Sequence, residues 1–312
     1  MNVPPVWRAY SQLNNAVRAL PMWKNPVGLG AKRTRTWDII EQSERNGFAE
    51  SPQKGKAAFV SAFPPAPPLG FDPGAFAARI ERAARDRGFR VEQIGEVNRV
   101  PLLALTRRTA GARPRIYLSA GIHGDEPAPP LALLDLLEAG FFDRRATWFI
   151  CPLLNPAGFV TRTRGNGSGL DLNRDYRHQV SDEIQAHIRW LNYQPNFDLA
   201  LCLHEDWESQ GFYLYEVAAQ PHLILARAIV RAVAPVCPIE AATNIDGRDV
   251  TEPGIIHPTA DPHLRDQWPE SIYLQAHHTR LAYTLETPSS RPLDQRIAAH
   301  RLAISAAINS EA

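Results

Sequence analysis

Cysteine and methionine are scarce in this chain of 312 residues, with three of the first and two of the second. Cys151, Cys202 and Cys237 are odd in number and irregular in spacing. That excludes a disulfide framework and fits a reducing, cytoplasmic setting. Cys151 and Cys202 lie in apolar, strand-like runs and read as buried thiols, although Cys202 shares a strand face with His204 two residues on. An excess of either charge is also missing. The 34 Lys and Arg against 33 Asp and Glu leave a formal net charge of +1, which offers nucleic acid or an anionic membrane no electrostatic hold. No apolar stretch approaches the roughly 20 residues of a membrane span. No continuous apolar segment follows the first charges, so a secretory signal is not expected.

What is present is a composition, 44% hydrophobic and 21% charged, that can bury a large core. Residues 1–66 differ from the rest. They carry a basic run at Lys32-Arg33-Thr34-Arg35 and Pro-rich punctuation, with poor periodicity apart from a possible helix over 6–20. They are expected to be an extension without an independent fold, and the folded domain is expected over 67–312.

From Phe71 the pattern sharpens. Apolar Phe76, Ile80, Ala83 and Ala84 among charges predict an amphipathic helix over 74–88. Runs at 89–95 and 100–106 read as strands about a turn at Asn98-Arg99. Residues 116–120 form a short strand, Pro129-Pro130 opens a helix that Gly140 ends, and 147–154 is a further strand. Strands are also expected over 197–203, 211–217 and 280–285, with helices over 221–233 and 293–308. The region 242–270, rich in Pro and Asp, reads as surface loops of the kind that carry substrate contacts. Strands alternating with helices imply a largely parallel or mixed sheet with helices on both faces.

In such sheets ligands bind past the carboxyl ends of the strands, where His123, His204 and Glu286 all fall. Two imidazoles and a carboxylate, His123 and Glu126 in one Gly-containing turn and His204 elsewhere, can hold one zinc ion and leave a position open for water. Glu286 would then be the proton-transfer partner. Asp171 can accept the outer N–H of a ligating imidazole and fix its tautomer. Asn173 and Arg174 can grip a substrate carboxylate, and Arg164 can stabilise charge that develops on a carbonyl oxygen. Each residue has a plainer reading. His123 and Glu126 can be a capping pair, His204 a hydrogen-bonded core histidine, each arginine half of a surface ion pair, and Glu286 a solvated group at a sheet end.

The joint order is more specific than any part. His123-x-x-Glu126, Asn155-Pro156-Ala157-Gly158, Thr163-Arg164, Asp171-x-Asn173-Arg174, His204 and Glu286 closely resemble the zinc carboxypeptidase family over roughly residues 115–310. The likeness is to the bacterial branch that includes murein-peptide amidases, which is related to succinylglutamate desuccinylases and aspartoacylases. The resemblance implies a three-layer α/β/α domain with a mixed, mostly parallel sheet of about eight strands. It implies one zinc ion on His123, Glu126 and His204, Glu286 as general acid/base, Arg164 on the scissile carbonyl, Asn173 and Arg174 on the terminal carboxylate, and Asp171 orienting His123. The expected activity is that of a metallocarboxypeptidase on small or cell-wall-derived peptides, with an N-acyl amino acid deacylase as the alternative and a catalytically silent metal or peptide binder as a minor third. Glu205-Asp206 departs from the small or hydroxyl residues of the digestive-type enzymes. No tyrosine aligns with the family's capping one, Tyr273 lying too near Glu286.

Overall fold

The computed structural model describes residues 71–218, 223–259 and 261–309. The expected extension, residues 1–66, lies outside them. The elements run α1 (Pro73–Asp86), β1 (Arg90–Val97), β2 (Val100–Arg107), β3 (Arg115–Ser119), α2 (Ala128–Glu138), β4 (Thr147–Cys151), α3 (Pro156–Thr161) and a 3-10 turn at Leu172–Arg174. They continue through α4 (Asp182–Leu191), β5 (Leu199–Asp206), β6 (Tyr213–Ala218), α5 (Leu223–Val233), the strand pair β7 (Asn244–Ile245) and β8 (Arg248–Asp249), and β9 (Ile255–Ile256). A 3-10 turn at Pro262–Leu264, α6 (Glu270–His277), β10 (Leu281–Pro288) and α7 (Leu293–Asn309) complete the order.

Eight strands form one mixed sheet in the order β1-β2-β4-β3-β5-β10-β6-β9. The inner run β4-β3-β5-β10 is parallel, β1, β2 and β6 join antiparallel, and β9 pairs parallel with β6. The side-chain period of two divides the strands between two cores. On β5, Leu199, Leu201 and Leu203 pack with α1, α2, α5 and α7, while Ala200 and Cys202 face the side of α4 and α6. This is the expected three-layer α/β/α architecture. Among the described residues no helix is long and apolar enough to cross a membrane.

The topology also fixes where a ligand can sit. From β3 the chain crosses through α2 to β4, and from β4 it returns through α4 on the other face to β5, on the far side of β3. The carboxyl ends of β3 and β5 therefore border the crevice at which the strand order reverses, the place open α/β sheets use for binding.

Several elements differ from expectation. β5 extends through Asp206, so His204 and Glu205 lie inside the strand rather than beyond it. The region 242–270 contributes the eighth strand, β9. Helix α4 was not foreseen, although Ser181 caps it and Ile184, Ile188 and Leu191 lie on its buried face. Helix α6 was hidden because its buried side includes Glu270 and Ser271, which break the apolar period. Helix α7 packs against both α2 and α5, and its buried side takes in Arg296 and His300.

Candidate active site

The His123–Glu126 turn is built by close backbone contact. After β3, Ala120 and Gly121 exchange hydrogen bonds with the chain leaving β4 (Ala120 N to Cys151 O, 3.0 Å; Asn155 N to Gly121 O, 2.8 Å). Asn155 then caps α3 through Gly158 N (2.9 Å) and donates from Nδ2 to Ile122 O (3.1 Å) and Arg164 O (3.3 Å). A Cβ on Gly124 would lie 1.9 Å from the Gly158 carbonyl carbon, so glycine is required there. The Asn155-Pro156-Ala157-Gly158 run is thus the buttress of the turn, and it ties Arg164 to the same framework.

The turn exits into α2, where Pro129 and Pro130 occupy the first turn without needing backbone donors. Ala128 N donates to Glu205 Oε1 at 2.6 Å, and the other Glu205 oxygen pairs with Arg296 of α7. Glu205, next to His204 in sequence, therefore holds the segment just after Glu126. Its neighbour Asp206 accepts from Tyr213 Oη at 2.9 Å. Both acidic residues that depart from the digestive-type pattern are bonded within the protein.

His123, Glu126 and His204 are all buried, and one donor atom from each lies within 4.8 Å of the others. His123 Nδ1 is 2.5 Å from Glu126 Oε1 and 3.3 Å from His204 Nδ1, and His204 Nδ1 is 3.2 Å from Glu126 Oε2. His123 Nε2 donates to Asp171 Oδ1 at 3.2 Å, which assigns the outer proton and turns Nδ1 to the carboxylate. A lone pair facing a carboxylate needs a cation or a proton between them. Burial disfavours the charged imidazole, but Glu126 and Asp171 outweigh it and raise the His123 pKa. Burial likewise opposes the Glu126 anion, yet the two imidazoles hold its carboxyl well below the usual range. Among the described residues, buried Glu126 Oε2 has no polar partner beyond the His204 Nδ1 approach at 3.2 Å. Two nitrogens and a carboxylate in this arrangement fit a single metal ion, and the donor set is one zinc accepts.

Asp171 is the hub beside this centre. Its Oδ1 also takes Asn173 N (2.9 Å), and Oδ2 takes Arg164 Nε (2.9 Å). Burial pushes its carboxyl up, but His123, Arg164 and Arg174 prevail and hold it low. Arg164 Nη1 reaches to 3.8 Å from Glu126 Oε1. Asn173 Oδ1 accepts from Glu270 N at 2.8 Å, leaving Nδ2 for the cleft. Arg174 donates to Asn173 O at 2.9 Å. Glu286 on β10 is the register partner of His204.

A cleft of about 340 Å³ brings His123, Glu126, Arg164, Asp171, Asn173, Arg174 and Glu286 together, and His204 joins His123 and Glu126 in the metal cluster. Among the further lining residues not singled out from the sequence are Trp207, Tyr213, Tyr215, Arg248 and Arg265. The two tyrosines had a signal, since alternation on β6 puts both on the face of Glu286. The arginines come from the 242–270 region, where no period marks one residue above another. Tyr273 is buried in α6, with its hydroxyl 3.4 Å from Asn192 Oδ1. Cys202 is buried and lies outside the three-residue metal cluster.

Fold and centre together define a metallohydrolase of the zinc carboxypeptidase and deacylase superfamily. The chain belongs to the succinylglutamate desuccinylase/aspartoacylase catalytic domain family, whose model matches residues 112–310. A candidate metallopeptidase from Shewanella amazonensis has a solved structure similar to it at 26% identity and a TM-score of 0.66, over 75% of this chain and 91% of that one. A metallo-carboxypeptidase from Burkholderia cenocepacia shares the fold at 18% identity and a TM-score of 0.58, over 74% of this chain and 66% of that one. No curated protein matches the chain in sequence.

Proposed function

We propose that this protein is a zinc-dependent hydrolase of an amide bond next to a free carboxylate, acting as a carboxypeptidase on small or cell-wall-derived peptides. The observation that carries the proposal is the convergence, in one open cleft, of the His123, Glu126 and His204 donors, the Glu286 carboxylate and the Arg164 and Arg174 guanidiniums.

A zinc ion held by His123, Glu126 and His204 would supply Lewis-acid activation of water and of the scissile carbonyl. Asn173 Nδ2 and Arg174 receive the substrate's free carboxylate, a charge-assisted contact that sets which amide enters. Arg164, steadied by Asp171, donates to the carbonyl oxygen as negative charge develops on it. Glu286 takes a proton from the attacking water and delivers it to the leaving nitrogen. Loss of water raises the Glu286 carboxyl; His204 opposes the rise, and Glu126 and Asp206 add to it. A raised carboxyl suits a group that must hold and release a proton near neutral pH.

Family membership favours a second reading, deacylation of N-acyl amino acids. In that case Arg174 binds the amino acid's own carboxylate. A mass-spectrometric product screen separates the two: zinc-loaded protein is given C-terminally free peptides, murein peptides and N-acyl amino acids, with Glu286→Gln as control. Release of a C-terminal residue or murein fragment by the wild type alone is the expected result. Release of acyl acids alone moves the protein to the deacylases, and no turnover of any class overturns the hydrolase reading.

A further inference from the structure

Behind the pair formed by His204 and Glu286 lies a second pair. One position further along the same strands, Thr287 of β10 is the register partner of Glu205 of β5. Alternation sends this second pair to the opposite face of the sheet, that of Leu203 and Leu285, where α7 packs. There each meets a polar residue of that one helix. Glu205 pairs with Arg296, and Thr287 Oγ1 is hydrogen-bonded to His300 Nε2 at 3.0 Å. Arg296 and His300 stand one turn apart, a rise of about 6 Å for four residues of helix, close to the spacing of about 4.8 Å between neighbouring strands. The helix therefore presents one polar group to each of the two strands that carry His204 and Glu286.

The Arg296 arm reaches the other half of the metal centre as well. The second oxygen of Glu205 accepts from Ala128 N at 2.6 Å, two residues after Glu126. Glu205 thus bridges the strand that carries His204 and the turn that carries His123 and Glu126. All four supporting side chains, Glu205, Thr287, Arg296 and His300, are buried. Their neighbours on α7 are apolar, among them Ala299, Ala303 and Ile304. A buried ion pair adds little to the stability of such an interface, since apolar residues of similar volume hold a helix at least as firmly. What the polar contacts add is direction, because a hydrogen bond fixes both the distance and the angle of its partner.

We propose that Arg296 and His300 are positioning residues for the active site. Arg296 directs Glu205, which sets the spacing of His204 from the His123–Glu126 turn, and His300 directs Thr287, which sets the placement of Glu286. Both act from the far face of the sheet, and both lie outside every motif by which the chain resembles its family. The Arg296 arm rests on the metal cluster alone. The His300 arm also rests on the reading of Glu286 as the proton carrier.

The test compares two double variants of the full chain. Glu205→Gln with Arg296→Gln and Glu205→Leu with Arg296→Met each remove both buried charges together, so neither strands one unpaired. Only the glutamine pair keeps an acceptor for Ala128 N and a donor at position 296. Zinc affinity is read by competition with a chromophoric chelator, at a temperature where circular dichroism shows both folded. It should fall by about 10- to 100-fold in the Leu–Met pair and recover at least in part in the glutamine pair. Equal zinc affinity in the two pairs would overturn the Arg296 arm. Thr287→Val, nearly the same in shape, tests the other arm without disturbing the ion pair. It should leave zinc affinity and KM unchanged and lower kcat by about 10- to 100-fold, and His300→Gln should lose less than His300→Leu. A wild-type kcat in Thr287→Val would overturn the His300 arm. A product screen without turnover would remove the hydrolase reading, while the zinc comparison still decides the Arg296 arm.

Discussion

Glu286 and His204 face each other across adjacent parallel strands, paired residue to residue in the register of β10 on β5. The same register sets Leu285 beside Leu203, both buried in the apolar core on the opposite face. Core packing therefore fixes which way Glu286 points, because a slip of one residue would turn it toward that core. A candidate metal ligand and a candidate proton carrier are held side by side by the strand register.

Glu286→Gln should keep metal stoichiometry and substrate binding and lower kcat by about 10²- to 10⁴-fold. Metal analysis and steady-state kinetics on whichever substrate the product screen identifies check this. Turnover near the wild-type rate would take Glu286 out of the proton transfer.

Asp171 joins His123 to Arg164 through its two oxygens. Asp171→Asn removes the charge that sets the His123 tautomer and should weaken metal affinity by about 10- to 100-fold. Competition against a chromophoric chelator measures it, and unchanged affinity would mean that the turn alone orients His123.

The sheet, its cores and the metal cluster were legible because each rests on a local pattern. Continuous apolar runs marked β3, β5 and β10, and the ends of those runs located His123, His204 and Glu286. Polar residues that act through distant partners were not legible. Glu205 stands out in the sequence only as a departure from the digestive-type pattern, and its tie to Arg296, 91 positions on, has no local signal. Arg248 and Arg265, which line the cleft, fall in a segment read only as loop, where no period marks one residue above another. Helix α6 was hidden by Glu270, whose carboxylate accepts from Tyr117 and Ser119 on β3.

The Glu205–Arg296 pair should matter to stability as well as to the site. Both side chains are buried, and Arg296 Nε already has no hydrogen-bond partner among the described residues. Glu205→Ala leaves a buried guanidinium unpaired, which should cost about 3–5 kcal/mol in denaturant melts. Combining it with Arg296→Met should recover most of that loss. If the single variant melts like the wild type, the pair contributes nothing net.

His187 is the most clearly assigned titrating group in the interior. Tyr117 Oη donates to Glu270 Oε1 (2.7 Å), so its oxygen must accept from His187 Nε2–H (2.8 Å), and His187 Nδ1 then accepts from Tyr176 Oη (2.8 Å). A second ring proton would force the Tyr176 hydroxyl to turn from donor to acceptor. Burial, with the His278 charge adding to it, pushes the His187 pKa down to about 3 from 6.5. Its contribution to stability is therefore complete above about pH 6.5 and is lost as pH falls toward 3, at up to about 1.4 kcal/mol per pH unit. His187→Gln can keep one donor and one acceptor in place but cannot take up the proton. The stability gap between wild type and variant should shrink by that slope as pH falls from 6 to 4, while every other titrating group cancels from the difference. Urea melts across this range check it, and parallel curves for the two proteins would mean that His187 is already charged in the fold.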